Sequence, residues 1–265
     1  MKERLDIVLV NRGIFQSRER AKSAVMAGIV YVDGQRVDKA GTGIREDAEI
    51  SVKEDTCPYV SRGGLKLAKA IISFHLDLEG KVAVDIGAST GGFTDCMLKN
   101  GARKVYAIDV GYGQLDWKLR NDPRVVNMEK INVRYLDMGK ITEKADFISI
   151  DVSFISLKLV FPVAVELLAD DGKLVCLVKP QFEAGREQVG KNGIIRDKAV
   201  HAEVIENVIR YGAANGLYPQ GLDFSPMTGA KGNIEYLLLF EKHDTGEDYG
   251  PIIGAVVKAS HEELQ

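Results

Sequence analysis

The chain has 265 residues, of which 45% are hydrophobic and 28% charged, and its formal net charge is −3. This is the balance of an ordinary globular protein with room for one large domain, or a medium and a small one. It excludes a low-complexity chain and any global basic field that would gather nucleic acid by charge alone.

Three widely spaced cysteines, Cys57, Cys96 and Cys176, form neither a metal-type spacing nor an even disulfide set, which predicts a reduced, cytoplasmic setting and no metal. The opening residues lack the apolar core of a signal peptide, and no apolar run approaches the ~20 residues of a membrane span.

Residues 1–57 read as a small α+β module. Leu5, Val8 and Leu9 have helical spacing up to a Gly13 cap, and Ser17 then caps a second helix that Gly28 stops. A strand at 29–32, the turn Asp33-Gly34 and a closing strand at 49–52 follow. Residues 1–22 hold six basic groups (Lys2, Arg4, Arg12, Arg18, Arg20, Lys22) against three acidic ones, a local basic face of the kind phosphate contact requires. The motifs Arg4-Leu-Asp6, Ser17-Arg-Glu-Arg-Ala21 and Gly28-Ile-Val-Tyr-Val-Asp-Gly34, with the strand at Ile50, make this stretch resemble the RNA-binding S4 domain. The resemblance implies RNA contact through the second helix and the turn after it, with Arg4, Arg18, Arg20 and Lys22 as candidates.

Residues 58–63, with Pro58 and the Gly63-Gly64 pair, read as a linker that also carries Arg62 as an RNA candidate. From 64 to 242 an amphipathic helix at 65–74 precedes alternating elements. Strands are expected at 82–86, 104–109, 124–128, 146–151 and 173–178, with helices near 91–100, 114–120, 156–168 and 197–215. Strands at 218–224 and 234–241 form a closing antiparallel pair. Such alternation predicts a doubly wound parallel sheet, and its antiparallel end resembles the Rossmann-like class I methyltransferase arrangement. Residues 243–265 form a polar tail with one short helix around Ile252 to Val257.

The most informative motif is Asp85-Ile-Gly-Ala-Ser-Thr-Gly-Gly-Phe-Thr94, a strand end, glycine-rich turn and helix start suited to a nucleoside ligand. Its glycine spacing differs from the Gly-x-Gly-x-x-Gly of dinucleotide binders and points instead to S-adenosylmethionine. Within it Asp85, Gly87, Ser89, Thr90, Gly91, Gly92, Phe93 and Thr94 are the cofactor candidates. Asp109 closes the next strand, where a carboxylate accepts ribose hydroxyls, and Asp137 follows the third strand near an adenine amino group.

Asp151-Val-Ser-Phe154 ends the fourth strand without the proline pair of amine methyltransferases, and Lys179-Pro-Gln-Phe-Glu183 ends the fifth. Gly232-Asn-Ile-Glu235 enters the last strand, and Lys66 lies in Ser61-Arg-Gly-Gly-Leu-Lys66. In order and context, Lys66, Asp151, Lys179 and Glu235 match the catalytic tetrad of FtsJ-type ribose 2′-O-methyltransferases. With the S4-like module in front, residues 4–241 resemble the TlyA family, whose members often carry a haemolysin name. That resemblance implies methylation of cytidine 2′-hydroxyls in ribosomal RNA, in the small or large subunit or both, with ribosomal RNA or subunits as partner.

A ribose hydroxyl must lose its proton as it attacks the sulfonium methyl. A lysine, with an ordinary pKa of about 10.4, serves as base only when partly neutral. Lys179 is therefore expected to be base or hydroxyl-orienting group, with Lys66 tuning it and the two carboxylates holding both amines. The segment 183–197, with Arg186, Lys191 and Arg196 among three glycines, is expected to form a basic lid over RNA. A membrane-active haemolysin and a non-catalytic RNA-binding assembly factor are the alternative readings, and monomer and homodimer both stay open.

Overall fold

The computed structural model describes every residue except Met1, Gln16, Ala27, 54–56, Lys191, Asn192, Ala230, Lys231 and Gln265, and the side chains of Ser23 and Arg186. The chain divides into two compact units, Met1–Gly63 and Gly64–Gln265.

The first unit contains β1 (Lys2–Arg4), α1 (Leu5–Asn11), α2 (Arg18–Met26), β2 (Val30–Val32), β3 (Gln35–Arg36), β4 (Gly43–Arg45) and β5 (Ile50–Val52). Leu5, Leu9, Ala21, Val25, Val30 and Ile44 close its core. The second helix starts where the Ser17 hydroxyl accepts from the Arg20 N–H at 3.3 Å, and Gly28, at φ +73°, stops it. Asp33 and Gly34 both have positive φ, +50° and +76°, the mirror-image turn that matches strand twist, and they join β2 to β3. The pairing of β1 with β4 was not foreseen, because a three-residue strand that is exposed throughout carries no alternation to read.

The second unit contains α3 (Gly63–Ser73, its first residue at the boundary), β6 (Val82–Ile86), α4 (Gly92–Lys99), β7 (Lys104–Ile108), α5 (Trp117–Arg120), β8 (Val125–Met128), β9 (Ala145–Ile150), α6 (Phe161–Leu167) and β10 (Leu168–Val178). Then come α7 (Pro180–Glu183), α8 (Lys198–Ala213), β11 (Tyr218–Phe224), β12 (Tyr236–Glu241) and α9 (Gly250–Leu264). The seven strands run in the order β11-β12-β10-β9-β6-β7-β8, parallel except for β12, which is antiparallel to both neighbours. Strand β6 is buried at every position, as expected of a parallel sheet covered on both faces. The chain runs outward from β6 to β8 and returns to the other flank of β6 at β9. The switch point therefore lies between β6 and β9, where ligands of open α/β sheets bind.

Three of the departures from the expected ranges have clear structural reasons. The helix expected at 114–120 starts at Trp117: Asp116 caps it by accepting from Lys118 N at 2.8 Å, and the Gln114 N–H is spent on Glu129. The helix expected at 156–168 splits into a 3-10 turn at Leu157–Leu159 and α6, and Leu168 already pairs with Ala145 as strand. The expected tail helix is longer, and Ile253 and Val257 of α9 belong to the main core of the second unit.

Candidate active site

The glycine turn is built by its neighbours. Gly87 and Gly91 have φ of +89° and +93°. A Cβ on Gly87 would lie 2.3 Å from the Asp151 carbonyl oxygen, and one on Gly91 would lie 2.2 Å from Leu119, so only glycine fits either place. Asp85 is wholly buried at the end of β6 and accepts from the hydroxyls of Thr94 at 2.7 Å and Ser149 at 3.0 Å. Burial pushes its carboxyl up to about 6, against those two hydrogen bonds. Asp85 and Thr94 thus brace the turn from beneath, and Gly91, Gly92 and Phe93 are buried with them. Gly87, Ser89 and Thr90 keep partial exposure.

Asp109 accepts from Ser89 N at 2.8 Å through one oxygen and from Gly111 N at 2.6 Å through the other. A carboxylate has about four acceptor positions, so two remain for other donors. Asp137 is exposed and caps its own short turn by accepting from Gly139 N at 3.0 Å.

The four residues expected as a tetrad come from three strand ends and one helix. On the antiparallel pair β10–β12 the last ladder partners are Val178 and Tyr236, so Lys179 and Glu235 fall opposite one another just beyond it. Asp151 follows β9, the other neighbour of β10. Lys66 is carried on α3, which is pinned to β11: Lys69 Nζ donates to Asp223 Oδ1 at 2.9 Å and to the Phe224 carbonyl at 2.7 Å, and the Ser73 hydroxyl donates to Asp223 Oδ2 at 2.7 Å. Lys69 lies one turn after Lys66, so this anchor also directs Lys66.

The result is two ion pairs, Lys66 with Glu235 at 2.5 Å and Lys179 with Asp151 at 2.5 Å. Lys179 Nζ also donates to the Ser153 hydroxyl at 3.1 Å. Burial pushes Asp151 up, but the charges of Lys179 and Lys66 outweigh it and hold the carboxyl below its ordinary value. Glu235 is buried against Gly229, where a Cβ would stand 2.1 Å from its Oε1.

Phe154, at φ +64° and 90% exposed, packs against Phe182 with ring centroids 4.9 Å apart and ring planes tilted by 49°. Glu183 ties this edge together, accepting from the Ser156 hydroxyl at 2.6 Å and Leu157 N at 2.8 Å.

Ser149, Ser153, Lys69 and Asp223 were not singled out from sequence. Ser153 lay inside a quoted motif; the others carry no local signal, since their partners are 64 to 155 positions away. In the first unit Arg4 and Arg18 both reach the buried Asp6, at 3.0 and 2.9 Å, while about half of each side chain stays exposed. The Arg4 hydrogen bond foremost, with that of Arg18, holds Asp6 down at about 2. Arg20 and Lys22 are exposed on α2. Arg62 is half-buried beside Gly28, and burial, then the neighbouring Arg36, lowers its pKa. The side chain of Arg186 and all of Lys191 lie outside the described residues. Among the described residues no group of three or more His, Cys, Asp or Glu side chains could hold a metal, and no helix is long and apolar enough to cross a membrane.

Comparison with known proteins adds a second line of observation. The profile of the FtsJ-like methyltransferases matches residues 59–242, and that of the S4 domain matches residues 3–50. The chain is 51% identical over 269 residues to YqxC of Bacillus subtilis strain 168, provisionally named an rRNA methyltransferase, across 100% of this chain and 96% of that one. It is 42% identical over 236 residues to the 16S/23S rRNA (cytidine-2'-O)-methyltransferase TlyA of Mycobacterium tuberculosis H37Rv, across 89% of this chain and 88% of the relative. A solved structure from Streptococcus thermophilus, provisionally named a hemolysin, matches with a TM-score of 0.79 at 50% identity, covering 99% of this chain and 96% of that one.

Proposed function

Because this chain belongs to the TlyA family of FtsJ-like methyltransferases, we propose that it transfers a methyl group from S-adenosylmethionine to the 2′-hydroxyl of cytidine in ribosomal RNA, in the cytoplasm. The observation that carries this reading is the pairing of two amines with two carboxylates at the carboxyl edge of the sheet, beside the glycine turn.

The fit to the donor rests on the turn. Gly87, Ser89 and Thr90 are its accessible residues, the two glycines admit no side chain, and Asp109 retains acceptor positions for ribose hydroxyls. S-adenosylmethionine, when bound there, supplies an electrophilic methyl group. Asp85 and Thr94 keep the turn in shape from within the core.

The chain's own residues handle the acceptor. A neutral lysine amine has two N–H bonds and one lone pair. In its ion pair with Asp151 the Lys179 amine is an ammonium; once it gives up one proton to solvent, Asp151 and the Ser153 hydroxyl remain beside it for its two N–H bonds, and its lone pair is free for the ribose hydroxyl. Lys179 orients that hydroxyl and takes its proton as the new oxygen–carbon bond forms. The Lys66–Glu235 pair holds a second positive charge close enough to act on Asp151. Phe154 offers an open ring face on which the base of an unpaired nucleotide can stack. In the first unit the exposed Arg20 and Lys22, with Arg4, Arg18 and Arg62, supply cations for phosphates. Arg186 belongs to the same reading on sequence grounds.

The test is transfer of a labelled methyl group from S-adenosylmethionine to ribosomal RNA, followed by mapping of 2′-O-methylated positions. Label on a cytidine 2′-oxygen, lost in the Lys179→Ala protein, is the expected result. Label on a base, or equal transfer by that variant, would overturn the reading. Release of vesicle contents without any methyl donor would support a membrane-active protein instead.

A further inference from the structure

Ile195 is tied by its N–H to Asn233, two residues before Glu235, and by its carbonyl to His201, which in turn bonds Tyr236, the residue after Glu235. Its N–H donates to Asn233 Oδ1 at 3.1 Å, and its carbonyl lies 3.1 Å from His201 Nε2. A carbonyl can only accept, so His201 carries its proton on Nε2. Its Nδ1 is then left to accept from the Tyr236 hydroxyl at 2.6 Å. Asn233 uses its other end as well, donating from Nδ2 to the Gly193 carbonyl at 2.9 Å. Asn233 is 2% exposed, and Ile195, His201 and Tyr236 are buried with it.

The chain around Glu235 needs such support. No regular strand begins until Tyr236, and the approach passes through Gly232 at φ +89°. The backbone is held there by Gly229 N donating to the Asn233 carbonyl and Ser225 N donating to that of Glu235, both at 2.8 Å. A primary amide is the uncharged side chain that offers one acceptor and two donors on one carbon. It can therefore bind a backbone N–H and a backbone C=O two residues apart, as a neighbouring strand would.

We infer that Asn233 is a positioning residue for methyl transfer. Its amide latches the end of the 184–196 segment to the stretch that carries Glu235, so segment and Glu235–Lys66 pair are set together. The His201–Tyr236 bond closes the same loop from the other side. The inference rests on the catalytic reading of Lys66, Asp151, Lys179 and Glu235 given above. By sequence the latched segment carries Arg186, Lys191 and Arg196, so RNA that engages it acts on the element whose docking holds Glu235.

The test compares full-length wild type with Asn233→Ser, which loses the paired geometry, Asn233→Asp, which keeps the acceptor only, and Asn233→Leu. Thermal unfolding, S-adenosylmethionine affinity, kcat and KM on ribosomal RNA, and tryptic cleavage within 186–196 are measured. The Ser and Leu proteins are expected to lose about 100-fold in kcat, the scale of a misplaced catalytic group. Their donor affinity and RNA KM should stay within about three-fold of wild type, while cleavage of the segment quickens. The Asp protein should fall between. The Ser protein decides the matter if the Leu protein does not fold. A folded Ser variant with wild-type kcat, or a loss of activity matched by a lower folded fraction, overturns the inference alone. Wild type that binds the donor yet methylates no RNA would overturn the catalytic reading and this inference together.

Discussion

Lys179 and Glu235 stand opposite each other across β10 and β12, one position beyond the Val178–Tyr236 pair, yet each finds its ion-pair partner elsewhere. Lys179 takes Asp151 from the parallel neighbour, and Glu235 takes Lys66 from α3, both at 2.5 Å. Three strands and a helix must therefore be in register before either amine is placed.

Lys179 is the group on which the chemistry depends. Lys179→Ala should lower kcat by about 10²- to 10⁴-fold, the range for removing a general base, with donor affinity unchanged. Single-turnover methylation at saturating donor and RNA measures this; a loss confined to KM would assign Lys179 to binding instead.

The Lys66–Glu235 pair is nearly buried, so removing one member leaves an uncompensated charge. Lys66→Met alone should destabilise the protein by about 3–5 kcal/mol, and the double variant with Glu235→Met by clearly less than the sum of the two single changes. Denaturant titration of all four proteins provides the cycle. Additive losses would show that the two side chains do not act as a pair.

Phe154 is an aromatic ring held in the left-handed region and left 90% exposed, an arrangement that packing alone does not reward. Phe154→Ala should weaken binding of a single-stranded RNA acceptor by about 1–3 kcal/mol, the value of one base stacked on a ring, with donor affinity intact. Fluorescence anisotropy with labelled RNA reads the change, and equal binding by wild type and variant would remove Phe154 from the RNA surface.

Two buried groups oppose each other in the pH dependence of stability. Burial lowers His201 from 6.5 to about 4, so the unfolded chain binds the proton first, and stability is lost as pH falls from about 6.5 towards 4. Burial raises Asp85 from 3.8 to about 6, so the folded chain binds the proton first, and stability is lost as pH rises through 6. Each contribution is on the order of 3 kcal/mol. Between pH 4 and 6.5 they should largely cancel in wild type. His201→Gln should then gain stability on acidification and Asp85→Asn should lose it, as denaturant midpoints at pH 7.5, 6 and 4.5 would report. Parallel pH profiles for the three proteins would show that neither group titrates as its burial demands.

Much of the fold was legible because its signals are local. Alternation of apolar strand runs with helical segments marked the parallel sheet, and Asp33-Gly34 marked the β2–β3 hairpin of the first unit. Helix limits at Trp117 and Leu168 were missed because they depend on where Glu129 spends its acceptors and where Ala145 pairs. The site divides in the same way. The glycines at 87 and 91 could be read in sequence, since φ values of +89° and +93° favour glycine.

The amino-acid sequence by itself determined which groups are present, the turn that can cradle a nucleoside, and the order in which two lysines and two carboxylates follow strand and helix ends. It did not determine which amine meets which carboxylate. Lys66 and Glu235 are 169 positions apart, and no local preference links them. Sheet order and the register of β9, β10 and β12 decided that, together with the anchoring of Lys69 on Asp223. Ionic and hydrogen-bonding contacts act over a few ångströms, and only the folded chain brings residues so distant in sequence to that range.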